Sequence, residues 1–159
     1  VSLATGLIPA ITLHGGPPSV RSYPVKISQT IHSGNLAILS TLGSVGEAAA
    51  ADTSCIGIFA HDITTTATET STKALVYLAD PNTWFEGRTT GSCSERKVGN
   101  FADMEITTTN NHRINEDAST TKIFKIMGLD PRDTATGAGR RIYVAITPVY
   151  SQIHTLAPD

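Results

Sequence analysis

The sequence predicts an all-β fold, a single small β-barrel or jelly-roll-like sandwich with an extended N-terminal arm, and three observations carry that reading. Short apolar runs recur along the chain, several alternating with polar residues at the period of two that turns one strand face to a core. Clusters of Gly, Asn, Asp and Pro separate these runs, as turns require. No stretch has the length and 3.6-residue period of an amphipathic helix. The 159 residues fit one domain, and a domain of this size buries roughly two thirds of the surface its unfolded chain exposes, enough for a core without staples.

Residues 1–23 read as the arm, 24–150 as the barrel or sandwich domain and 151–159 as a C-terminal tail. Gly15, Gly16, Pro17, Pro18 and Pro24 forbid a continuous helix or a central strand in the arm. Its apolar residues Leu7, Ile8, Ile11 and Leu13 are costly to leave in water, at about 25 cal/mol per Å², so they are expected on the domain or on a neighbouring subunit. Residues 25–62 form the scaffold module. Val25, Ile27, Gln29 and Ile31 fall on one face of a strand, Ser33-Gly34-Asn35 turns the chain because Gly and Asn tolerate the positive φ of a hairpin connection, and residues 36–41 return. Residues 48–51 are either one helical turn or an extended piece. Residues 55–61 are an apolar strand in which Gly57 marks a bulge or a close backbone approach.

A threonine-rich loop or edge strand over 64–72 leads to the apolar run 74–78, read as a strand covered on both faces. Residues 80–83 turn, Trp84 and Phe85 follow, and 87–97 form a loop of mixed charge. A strand over 98–109 passes through Met104 and Ile106, with turns at Asn110-Asn111 and at 116–119. Phe124 and Ile126 alternate with Ile123, Lys125 and Met127, then Asp130 and Pro131 open a loop that ends at Gly137-Ala138-Gly139. Ile142, Val144 and Ile146 lie on one face of the most regular strand, Pro148 closes it, and Val149, Ile153 and Leu156 in the tail call for burial.

Composition narrows the function. Charged residues are 16% of the chain and the net charge is -2, so no basic field exists to hold nucleic acid or an anionic membrane by counterion release. The first residues have no basic n-region and no run able to span a bilayer, and neither a signal peptide nor a membrane span is expected. Cys55 and Cys93 form no CxxC or Cys/His pattern and are read as two thiols, with a single disulfide as the alternative. His61 beside Asp62 invites an acid/base reading, but adjacent strand residues point to opposite faces. His14, His32, His112 and His154 are scattered without ligand spacing. The serines near Gly43 and Gly91 lack the full G-x-S-x-G elbow, and the glycines before Arg140 and Arg141 precede a strand where a dinucleotide loop must open a helix. No catalytic residue, cofactor or metal is expected, and the chain is read as not an enzyme. Trp84, Phe85, Tyr77, Tyr143 and Tyr150 could stack on a sugar or base, although aromatics at 6% suit a core or an interface.

The layout resembles the small β-barrel decoration, or cement, proteins of tailed-bacteriophage capsids. The resemblance rests on His32-Ser33-Gly34-Asn35-Leu36 leading to Ile56-Gly57-Ile58-Phe59-Ala60, on Val98-Gly99-Asn100-Phe101, on Ile114-Asn115 and on residues 120–126, and spans roughly 24–148. It implies a structural virion protein on the outer capsid surface, made in the host cytoplasm. Such a protein bridges major capsid proteins and forms homodimers or homotrimers, with no nucleic acid or membrane partner. Residues expected to meet partners are Leu7, Ile8, Ile11, Leu13, Pro17 and Pro18 of the arm, and Trp84, Phe85, Pro131 and Arg132 of the loops. The alternative is a carbohydrate- or receptor-binding module of a fibre or cell surface, using Trp84, Phe85 and the threonine-rich loops.

Overall fold

The computed structural model describes residues 6–107, 110–133, 138–147 and 151–152, and the chain is all-β. In chain order the strands are β1 (Ile8–Thr12), β2 (Val20–Pro24), β3 (Thr30–Ile31), β4 (Leu36–Leu39), β5 (Val45–Glu47), β6 (Gly57–Phe59), β7 (Ile63–Thr64), β8 (Lys73–Leu78), β9 (Thr83–Arg88), β10 (Phe101–Ile106), β11 (His112–Asn115), β12 (Phe124–Leu129) and β13 (Arg141–Ile146), with a 3-10 turn at Glu95–Lys97. One sheet has the order β1-β9-β13-β12-β10-β11, a second β2-β8-β6-β4-β5, and β3 pairs with β7 alone. The expected closing residue Pro148, the tail residues Val149, Ile153 and Leu156, and also Gly137, Tyr150 and His154 lie outside the described residues.

Strand periodicity divides the interior into two cores. Leu36, Ile38, Ile58 and Tyr77 face the six-stranded sheet, where they meet Phe85, Ile114, Phe124, Ile126, Ile142 and Val144. Their sequence neighbours Ala37, Leu39, Phe59, Val76 and Leu78 point the other way, against Val25, Ile31 and Ile63. The five-stranded sheet is therefore the middle layer of three, with apolar residues on both faces. The expectation for 74–78 holds except at Leu75, which is 46% exposed. β12 and β13 match the alternation read from sequence, with Phe124, Ile126, Ile142, Val144 and Ile146 buried.

The structure corrects three readings of the first 60 residues and decides a fourth. The extended arm lies on the domain, because β1 pairs with β9 at the edge of one sheet and β2 with β8 at the edge of the other. Proline is tolerated there because an edge strand has a side that needs no ladder donor. The strand expected from Val25 is broken at Ser28, whose φ of 53° lies in the left-handed region, and Ile27 is exposed. The turn at 33–35 joins different sheets and makes no hairpin. β3 pairs with β7, and β4 with β5 and β6. Gly34, at φ 87°, lies against Gly6 so closely that a Cβ on either would collide with the other backbone. Its carbonyl accepts from Leu7 N–H and its N–H donates to the Phe59 carbonyl, each at 2.9 Å. Residues 48–52 are a turn, closed by Asp52 N–H to the Ala49 carbonyl and Ala49 N–H to the Asp52 carboxylate.

β9 was not apparent as a strand, since Glu86, Gly87 and Arg88 interrupt the apolar pattern. Gly87 is one of its inward positions, and a Cβ there would press on Ile114 and Leu7 side chains at 2.8 and 3.0 Å. Gly57 answers its reading as a close approach, because a Cβ would overlap the Tyr77 carbonyl. Cys55 and Cys93 are both buried and unpaired. Burial pushes the Cys55 thiol up to about 12, against a small opposing effect of the Gly57 backbone hydrogen bond, which leaves it unreactive.

Candidate docking surface

Among the described residues, four of the ten exposed large apolar side chains lie on the flank made by β1, β2 and their connection. Ile8, Ile11, Leu13 and Val20 are 45, 37, 49 and 46% exposed. The register explains the pattern on β1: Ile8 lies opposite Glu86 and Ile11 opposite Trp84, while Pro9 lies opposite the inward Phe85. The connection is tied down rather than trailing. Leu13 N–H donates to the Asn82 carbonyl at 2.8 Å, His14 N–H to Asn82 Oδ1 at 2.9 Å, and Leu78 N–H to the Ser19 carbonyl at 2.9 Å. Pro9 lacks a donor and the register shifts between Pro9 and Ile11. Both devices discourage a further strand from adding to this edge, so the flank is shaped for side-chain contact.

The structure separates the residues expected to meet partners. Ile8, Ile11, Leu13 and Pro17 are exposed and Pro18 is half-buried. Leu7 and Phe85 are corrected: they are 1% and 0% exposed and belong to the core, since Leu7 precedes the outward Ile8 and Phe85 alternates with Trp84. Trp84 is half-buried beside Ile11. Pro131 is exposed. Arg132 is committed within the fold, with Nε 2.9 Å from both Asp130 oxygens and one terminal nitrogen 2.7 Å from Glu86 Oε2. Hydrogen bonding from Arg132 holds the Asp130 carboxyl down to about 2. Arg141 likewise keeps Asp133 well below the usual carboxylate range.

The histidine and carboxylate pairs also find structural partners. His61 Nε2 accepts from Leu75 N–H at 3.1 Å, and Asp62 Oδ1 accepts from Ser33 N–H at 2.7 Å. His112 is 1% exposed and joins the two large sheets. Its Nδ1 accepts Leu36 N–H at 2.9 Å, and its backbone N–H donates to Asn35 Oδ1 at 3.0 Å. Accepting at Nδ1 fixes the neutral ring. Burial, with His32 nearby, lowers its pKa to about 4.

Sequence reasoning missed Val20, Leu42, Val98 and Phe101, exposed by 46, 92, 42 and 41%. Leu42 had a visible signal, an apolar residue beside Gly43 between Ser40 and Ser44, where a hairpin tip joins β4 to β5. Among the described residues no helix is long and apolar enough to cross a membrane. Compared with known proteins, the chain matches no family model and no curated protein.

Proposed function

We propose that the chain is a structural virion protein of the capsid-decoration class, docking on the outer face of a phage head through its β1–β2 flank. It bridges neighbouring major capsid proteins and associates with its own copies as a dimer or trimer. The observation that carries this reading is the row of exposed Ile8, Ile11, Leu13 and Val20 along the segment that edges both large sheets. Apolar patches on a monomer surface of this kind mark protein contacts, and a bent, proline-bearing edge favours side-chain docking over strand addition. The glycan reading uses Trp84, Phe85 and the threonine-rich loops, and of its two rings Phe85 is core and Trp84 is half-buried.

Co-sedimentation with phage heads stripped of decoration protein tests the proposal. The triple variant Ile8→Ser/Ile11→Ser/Leu13→Ser should bind at least tenfold more weakly with little change in Tm. Equal binding by wild type and variant would remove the flank from the account. A gene for a major capsid protein beside the gene for this chain would support the class independently.

A further inference from the structure

We infer that a second copy of this chain adds along β2, antiparallel and across a two-fold axis at Ser22, so that two five-stranded sheets become one of ten strands. This rests on the proposed function only for the expectation that copies of the chain associate, and it selects the dimer over the trimer.

The two large sheets have four edges, β1, β11, β2 and β5, and three of them are closed to a further strand. β1 has Pro9 and a register shift. β5 is flanked by Val25, bridged to Val45, and Lys26 N–H donates to the Val45 carbonyl at 3.0 Å. β11 is flanked by Thr89, bridged to Ile114, and Thr90 N–H donates to the Ile114 carbonyl at 3.0 Å. Along β2 no such guard is present among the described residues, and its one proline is the last residue of the strand. An unguarded edge of this kind is a template for pairing.

The register shows what that edge offers. β2 runs against β8 from Val20 opposite Tyr77 to Pro24 opposite Lys73. Just outside it, Leu78 N–H donates to the Ser19 carbonyl at 2.9 Å and Val25 N–H to the Thr72 carbonyl at 3.0 Å. Bonded pairs alternate along an antiparallel ladder, so Arg21 and Tyr23 bond to β8, while Val20, Ser22 and Pro24 turn their backbone groups away from it. Set against itself with Ser22 opposite Ser22, the edge is self-complementary. The two serines exchange their N–H···O bonds, and each Val20 N–H donates to the second copy's Pro24 carbonyl, which leaves only the Val20 carbonyl to water because proline has no donor.

Charge selects the same register. Arg21 falls opposite the second copy's Tyr23, a cation beside an aromatic ring, whereas the neighbouring register would place Arg21 opposite Arg21, like charges face to face. Apolar surface adds to the contact. Leu75 and Val20 are each 46% exposed, and Leu75 lies opposite Ser22, so both share the sheet face of Pro24. Across the axis Val20 meets Pro24. Such an isologous contact closes as a dimer, and the guarded edges stop further growth. An axis normal to the sheet keeps like faces on one side, so both β1–β2 flanks point the same way, as bridging requires.

Sedimentation velocity over a wide range of concentration tests the inference. Wild type should reach twice the 16.8 kDa of one chain. Amide exchange at Val20 and Ser22 should slow as the dimer forms, while Arg21 and Tyr23, bonded to β8, stay slow throughout. Ser22→Pro removes a donor that only the second copy uses and should weaken dimerisation at least tenfold. Leu75→Lys, at an exposed position, should weaken it at least fivefold with the Tm of the dilute monomer unchanged, and it keeps the test decisive if Ser22→Pro does not fold. A monomer at every concentration, a trimer, a dimer whose affinity Leu75→Lys leaves unchanged, or Val20 and Ser22 amides as fast in the dimer as in the monomer would overturn it. The flank variant Ile8→Ser/Ile11→Ser/Leu13→Ser should dimerise as wild type does, so failure here and failure of head docking are told apart.

Discussion

Neighbouring residues on two strands show how differently the sheets are used. On β6, Ile58 and Phe59 face opposite sides and both are buried, at 0 and 1% exposure. On β9, Phe85 is fully buried while Trp84 is half-exposed. The alternation is the same and the surroundings differ. The five-stranded sheet has a layer on each face, whereas the six-stranded sheet has one face free, with Ile8, Ile11, Trp84 and Phe101 on or beside it. The middle layer holds the fold together, and the outer layer and its edges are where another protein can be met.

The contrast breaks most visibly in stability measurements. Phe59→Ala removes a large side chain from the second core and should cost about 3–5 kcal/mol, read as a lower denaturant midpoint. Trp84→Ala should cost less than half as much. Equal losses would mean that the outer face is as structural as the middle sheet. Next in size is the pH dependence of the His112 link between the sheets. The ring titrates near 6.5 when free and at about 4 when folded, so between those values the unfolded chain binds the extra proton. Stability is therefore complete above pH 6.5 and falls as pH drops towards 4, by about 3 kcal/mol for a shift of this size. Unfolding at pH 7, 5.5 and 4 should show the slope, and His112→Gln should flatten it. Asp130, depressed to about 2, contributes stability that is lost only as pH falls below the ordinary carboxylate range.

Smaller effects sharpen the same comparison. Asp103→Asn keeps one acceptor for the three N–H groups of residues 120–122 and should cost about 1–2 kcal/mol, with faster amide exchange confined to that turn. Ile8→Ser and Ile11→Ser, on an exposed edge, should each change stability by no more than about 0.5 kcal/mol. A loss several times larger would show that these side chains serve the core.

What could be read in the sequence follows the same division. β12 and β13 were legible because a strand between a core and water writes its surroundings into alternate residues, and β8 because a strand between two layers reads as a continuous apolar run. β1 and β2 were not, because edge strands accept the Pro9, Pro24 and flanking glycines that a central strand would exclude. Ile27 fits the period of the strand expected from Val25, but Ser28 turns the backbone out of it. Phe85 could have been assigned inward once Trp84 was taken outward, since adjacent strand residues cannot share a face. The cleft beside Phe101 was invisible: it depends on Asp103 and Lys97 reaching 17 or more residues along the chain to fix its walls.

Amide hydrogen exchange of the chain, free and bound to stripped phage heads, tests the central claim most directly. The account predicts new protection over residues 8–20 with none added on β4 and β6, already slow in the free protein. Protection confined to other surfaces, with this segment unchanged on binding, would contradict it.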